Sequence, residues 1–167
     1  MLAVLLSPTF VFGVSGGMTQ AEAESSQDPD GEVGLLVRMS GRRFGVELGM
    51  TKVSAPSDGG AKQFTGLAVL DLADGRWVPQ LFAGIGLDRA GQQYSSYDGT
   101  HVEVGAGLEL RLDGGLVLGA RFHIGDRWSD DAGYINDGDC IDCGLYDSHP
   151  LSDGQYRTLD AYAGVRF

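Results

Sequence analysis

The sequence predicts an all-β chain folded as an eight-stranded antiparallel up-and-down transmembrane β-barrel. Three observations carry that expectation. Apolar residues recur at every second position through most of the chain, the spacing that places them on one face of a strand. The positions between them are glycine and charge. The connections between the alternating segments are short and long in strict turn.

The pattern is plainest in THVEVGAGLELRLDGGLVLGARFHIGD, residues 100–126. Val102, Val104, Ala106, Leu108, Leu110 and Leu112 share one face, and Glu103, Gly105, Gly107, Glu109 and Arg111 the other. Asp113-Gly114 supplies a tight turn. The alternation restarts with Leu116, Leu118, Ala120, Phe122 and Ile124 against Val117, Gly119, Arg121, His123 and Gly125. A water-soluble sheet would bury its apolar row against a partner of varied, interlocking side chains. This row is long, uniform and aliphatic, and charges set among glycines fit a narrow interior where opposite signs pair. An apolar outside around a polar inside is the pattern of a membrane barrel. In lipid the sheet must close, because every backbone group has to bond within the protein.

From the N-terminus, two readings compete for residues 1–31. Met1 to Ala23 resembles a signal peptide, with apolar LAVLL and an Ala21-Glu22-Ala23 cleavage-like site. However, no Lys or Arg precedes the apolar run, and Pro8, Gly13, Gly16 and Gly17 interrupt it. The alternative is a strand from Thr9 to Met18, with Phe10, Phe12 and Val14 outward, leaving 1–8 as a short periplasmic lead or the remnant of an export signal. Residues 32–40 alternate next, with Val33, Leu35, Val37 and Met39 against Gly34, Leu36 and Arg38. After Ser40-Gly41-Arg42, residues 43–53 place Phe44, Val46, Leu48 and Met50 against Gly45, Glu47, Gly49 and Thr51. Residues 64–73 form a less regular strand whose inner face is fixed by Asp71. Residues 77–87 follow, with Pro79 near the start because it lacks a ladder donor. The last strand, 155–167, turns Leu159, Ala161, Ala163, Val165 and Phe167 outward and Asp160, Tyr162, Gly164 and Arg166 inward.

Counting the strand at Thr9 gives eight. Short turns at 40–42, 73–76 and 113–115 alternate with long loops at 19–31, 54–63, 88–99 and 127–154. Without that first strand the number is odd and the termini fall at opposite ends. Short turns at one end and long loops at the other is the outer-membrane arrangement.

The totals agree with one domain spanning 1–167. No run approaches the roughly 20 apolar residues of a membrane helix, which excludes a helical membrane protein. A mean hydropathy of -0.07 is compatible with alternating strands, which average to neutral. The 27 glycines are far above the usual share of roughly 7% and lie mostly inside the alternating segments. A net charge of -11 argues against nucleic acid and against a polybasic mode of membrane docking.

Segments such as FGVELGM, LFAGIGL, VEVGAGLELRL and the closing AYAGVRF resemble the small eight-stranded bacterial outer-membrane barrels of the OmpA transmembrane domain and OmpX type. The resemblance implies residence in a Gram-negative outer membrane as a monomer, among lipid and lipopolysaccharide. It also implies that Phe167 is read by the barrel-insertion machinery. It does not extend to a peptidoglycan-binding domain.

The inner face sets the candidate site. Arg38, Glu47, Asp71, Glu103, Glu109, Arg111, Arg121, His123, Asp160 and Arg166 are expected to form a lumen network, since an unpaired buried charge is costly. The other reading of that network is a proton or ion path. His123 beside Glu103 or Glu109 resembles an acid–base pair, but no serine lies at a matching spacing. Cys140 and Cys143 are expected to be bridged in an oxidising compartment, ahead of metal binding or redox exchange. Asp137, Asp139 and Asp142, with Asn136, offer oxygen ligands for calcium without the full pattern of a calcium loop; the default is a solvated acidic loop. Trp77, Trp128, Tyr94, Tyr97, Tyr134 and Tyr156 are expected at the membrane interfaces.

The function expected is structural or interactive, through loops that contact an unidentified extracellular partner, with no cofactor and no enzymatic activity. A narrow pore and a lipid A-modifying enzyme dependent on His123 are the alternatives. A soluble, lipocalin-shaped barrel is a further rival. It requires Leu108 and Leu118 buried and Glu109 exposed.

Overall fold

The computed structural model describes residues 8–21, 29–54, 61–92, 95–129 and 154–167. Eight strands run in chain order: β1 Thr9–Ala21, β2 Asp30–Ser40, β3 Phe44–Ser54, β4 Ala61–Asp71, β5 Trp77–Gln92, β6 Ser95–Arg111, β7 Leu116–Ser129 and β8 Gly154–Arg166. Each pairs antiparallel with the next, and β1 pairs with β8, so the barrel closes. The N-terminal segment is therefore a strand: β1 registers with β8 from Val11 opposite Arg166 to Ala21 opposite Tyr156. Backbone bonds between Phe10 and Phe167 continue that seam.

Side-chain parity decides inside from outside. Leu108 and Leu118 are exposed at 43% and 39%, and Glu109 is fully buried at 0%. This is the reverse of what a soluble barrel requires. Phe12, Val37, Leu48, Ile85, Val104, Phe122 and Leu159 continue the apolar exterior around the wall. On β5 it runs from Trp77 to Leu87, about 33 Å along the strand. At a tilt near 40° that is roughly 25 Å along the axis, the height of the lipid-facing band in such barrels. Trp77 and Trp128 are both exposed, one near each end.

Two expectations about strand limits are corrected. Asp88 to Gly99 is not a long loop. β5 and β6 stay paired from Asp88 opposite Gly99 to Gln92 opposite Ser95, with only 93–94 between the strands. A strand continuing beyond the lipid needs no apolar outer row, so the polar run DRAGQQYSSYDG carries no alternation to mark it. β1 and β2 likewise extend to Ala21 and start at Asp30, and β3 ends at Ser54 with β4 beginning at Ala61.

At the other end the connections are tight. In the turn from β6 to β7, Gly114 and Gly115 both have positive φ, +83° and +86°, which other residues rarely adopt.

Candidate functional site

Among the described residues, the lumen is where the fold gathers ionisable side chains out of water. Its large groups come mainly from β5 to β8, joined by Arg38 on β2 and Glu47 on β3, while other inner positions of β2 and β3 carry the small residues Gly34, Gly45, Gly49 and Thr51. Aromatic rings on the inner face lie across in-register glycines on the neighbouring strand. Phe82 faces Gly105, His101 faces Gly86, Tyr162 faces Gly119 and Tyr156 faces Gly125. A Cβ added at any of these glycines would strike the facing ring. Covering a strand glycine with a cross-strand ring protects the ladder and leaves the ring its space.

Near the short-turn end, Glu109 is the hub. It accepts from Arg38, from Arg111 Nε at 2.7 Å and from Tyr162 OH at 2.6 Å. Arg111 also donates to Asp71, which accepts from Gln80 at 2.8 Å. In the middle of the barrel, Arg121 donates to Glu47 at 2.5 Å and to Asp160 at 3.1 Å, with its guanidinium 4.7 Å from the centre of the Tyr162 ring. His123 sits between two carboxylates: Nε2 bonds Asp160 at 2.6 Å and Nδ1 lies 3.4 Å from Glu103. Tyr156 donates to Glu103 at 3.0 Å.

Toward the long-connection end lies a layer that sequence reasoning missed. His101 Nδ1 lies 3.0 Å from both oxygens of Asp88, and its Nε2 is 3.3 Å from Thr65 Oγ1. Arg127 Nε stands 3.4 Å from Asp88, and its guanidinium stacks 3.9 Å over Tyr156. The sequence pattern hides this layer because Asp88 and Arg127 fall in the stretches expected to be loops. Extending the inner parity from Glu103 back to His101 would have found the histidine.

Of the expected network, Arg38, Glu47, Asp71, Glu103, Glu109, Arg111, Arg121, His123 and Asp160 come together as described. Arg166 does not. It is exposed, because it lies at the last position of β8 where inner parity opens onto solvent at the rim. Tyr156 is likewise not an interface residue: it is 2% exposed and points inward. Asp137, Asp139, Asp142, Cys140 and Cys143, with Tyr94 and Tyr134, lie outside the described residues, as does the side chain of Tyr97. Among the described residues no cluster of three or more His, Cys, Asp or Glu is arranged to hold a metal ion.

Chemically, the arrangement of His101 between Asp88 and Thr65 has the order of an acid–base–hydroxyl relay. The cavity that Thr65 lines, together with Glu47, Glu103, His123 and others, measures about 50 Å³. That holds a few water molecules and no larger substrate. Glu47 Oε2 borders the cavity without a hydrogen-bond partner and lies 3.8 Å from Arg38.

Charge is partitioned along the chain. The segments 22–28, 55–60, 93–94 and 130–153 contain eleven carboxylates and no lysine or arginine, equal to the whole net charge of -11. All four join strands at the same end of the barrel.

No protein-family model and no curated protein sequence matches this chain. Solved structures do match. Neisserial surface protein A aligns with a TM-score of 0.65 at 15% identity, covering 96% of this chain and 97% of its own. The N-terminal β-barrel domain of Pseudomonas aeruginosa OprF aligns at 0.59 and 11% identity, over 94% and 97%. Ail, the attachment invasion locus protein of Yersinia pestis, in complex with the heparin analogue sucrose octasulfate, aligns at 0.52 and 18% identity, over 96% and 97%. With its apolar exterior and ionic lumen, the chain has the fold of the small eight-stranded bacterial outer-membrane β-barrels.

Proposed function

We propose that the protein is a monomeric resident of the outer membrane that works by contact at its surface, through the acidic connections, and is not an enzyme. The observation that supports this reading is the lumen itself. Its charged groups are tied to one another across strands, and the space left beside them is water-sized. The barrel then serves as a rigid support, and the chemistry available for recognition lies at the ends. The Ail structure holds a sulfated sugar analogue. For the present chain, connections bearing eleven carboxylates and no lysine or arginine favour a cationic partner instead.

The test is binding of polylysine and of heparin to the barrel in lipid vesicles, at low and physiological salt. Salt-sensitive binding of polylysine that falls when the aspartates of 130–153 are changed to asparagine is expected. Preferential binding of heparin would overturn the reading. A narrow pore is the second reading, favoured by the cavity and the Glu47 oxygen that borders it without a hydrogen bond. It is tested by conductance of the purified protein in planar bilayers.

A further inference from the structure

Above the apolar band on the outer wall, register brings like charges together. Lys52 on β3 lies directly opposite Lys62 on β4, and Lys62 lies directly opposite Arg89 on β5, which on its other side is in register with Asp98 on β6. All three are exposed and share the parity of the outward apolar residues. Directly opposed residues hold their Cβ atoms about 4.5–5.5 Å apart, and like charges so placed repel. Neither lysine has a hydrogen-bond or ion-pair partner among the described residues. Two lysines at this spacing are stabilised by an anion lying across them.

What lies beneath the row points to the kind of anion. The next outward row is Met50, Phe64 and Leu87, then Leu48, Gly66 and Ile85, then Val46, Ala68 and Ala83. Along β4 the wall therefore drops from Phe64 to Gly66 and Ala68, between the taller Leu48 and Ile85. The space above Gly66 is open: an added Cβ would come no closer than 3.7 Å to Leu48. A cationic row at the edge of the lipid-facing band, continuous with an apolar furrow running toward the middle of the bilayer, matches a molecule with a phosphate at one end and acyl chains at the other.

We propose that Lys52, Lys62 and Arg89 form a docking site on the outer wall for the phosphate of an acylated, phosphorylated glycolipid of the surrounding leaflet, whose chains lie along β4. The site rests on the reading of the exterior as lipid-facing. Its local positive charge is compatible with an acidic protein because ten of the eleven carboxylates of the connections belong to 22–28 and 130–153, which join β1 to β2 and β7 to β8 rather than β3, β4 or β5.

The test uses the full chain refolded into phosphatidylcholine nanodiscs. Diphosphorylated lipid A and its fully dephosphorylated counterpart are the probes, and binding is read by native mass spectrometry. At the usual strength of a basic residue near an anionic surface, Lys52→Gln with Lys62→Gln weakens binding of the diphosphorylated lipid about 30-fold. The dephosphorylated lipid does not distinguish parent from variant. Arg42→Gln with Arg43→Gln, an equal charge change at the opposite rim, leaves binding unchanged. Without phosphorylated lipid the sign reverses: relief of repulsion makes the lysine double variant more resistant to urea than the parent.

Equal binding by parent and lysine variant overturns the site, as does equal weakening by the Arg42 and Arg43 variant. Displacement of the lipid by inorganic phosphate would also overturn it, reducing it to a simple anion site. Heat-modifiable gel migration is read on the same samples. A parent that shows no folded barrel defeats the membrane reading itself, whereas a folded barrel with indifferent binding defeats only the docking site.

Discussion

Replacing Glu109 by glutamine tests whether the lumen network holds the barrel together. The side chain keeps its shape, so packing is preserved and the change is one of charge and donor count. Glu109 is 0% exposed and serves three donors from Arg38, Arg111 and Tyr162. Glutamine offers one acceptor oxygen in place of two and turns an NH2 group toward guanidinium groups that are themselves only donors. Breaking one partner of a buried ion pair costs about 3–5 kcal/mol. Arg111 retains Asp71, so its loss is cushioned. Arg38 retains Gln80 at 3.4 Å, Glu47 at 3.8 Å and the face of the Tyr162 ring at 5.7 Å.

The expected loss is therefore at the lower end, about 3 kcal/mol. Reversible urea unfolding in lipid vesicles measures it, followed by fluorescence of Trp77 and Trp128, both exposed on the outer wall. A cycle with Arg38→Met isolates the pair, and a coupling of about 2 kcal/mol is expected for residues in direct contact. A Glu109→Gln protein whose midpoint corresponds to a change under about 0.5 kcal/mol, or an additive double variant, would refute the network as the source of rigidity.

Further expectations follow from the same geometry. Leu48→Arg puts a charge on the lipid face at a residue 65% exposed and should cost about 2–4 kcal/mol in vesicles; unchanged stability there would mean the wall does not face hydrocarbon. Gly119→Ala drives a methyl into the Tyr162 ring and displaces its hydroxyl from Glu109, with a loss of about 1–3 kcal/mol in the same urea titration. Phe167→Ala should slow assembly in cells, read as accumulation of unfolded protein, while leaving refolding in detergent intact. Its ring is 76% exposed, meeting the Phe12 ring edge-on at 6.2 Å, while backbone bonds to Phe10 hold the strand end.

Period-two patterning made the inside and outside of every strand legible, since parity follows from the pleat and nothing else. Glu109 inward and Leu108 outward could be read directly from the order of residues. Height along the barrel could not. Arg166 has the inner parity but sits where the inner face meets water, and Tyr156, read as an interface residue, points into the lumen. Both depend on the stagger between strands, which parity leaves open. The His101, Asp88 and Arg127 layer was hidden for a related reason. Once a hairpin rises out of the bilayer its outer face is polar, so the contrast that marks a strand vanishes while the ladder continues. The cross-strand pairing of rings with glycines, and of Lys52 with Lys62, likewise needs register.

The partition of charge has a consequence for how the barrel enters a bilayer. Outside the four connections at that end the chain is electrically balanced, twelve acids to twelve bases. The end carrying the short turns can cross hydrocarbon with little penalty, whereas the opposite end would have to drag eleven carboxylates through it. Spontaneous insertion into preformed liposomes should therefore be vectorial. The light end leads, and the anionic crown stays in the compartment from which the protein was added.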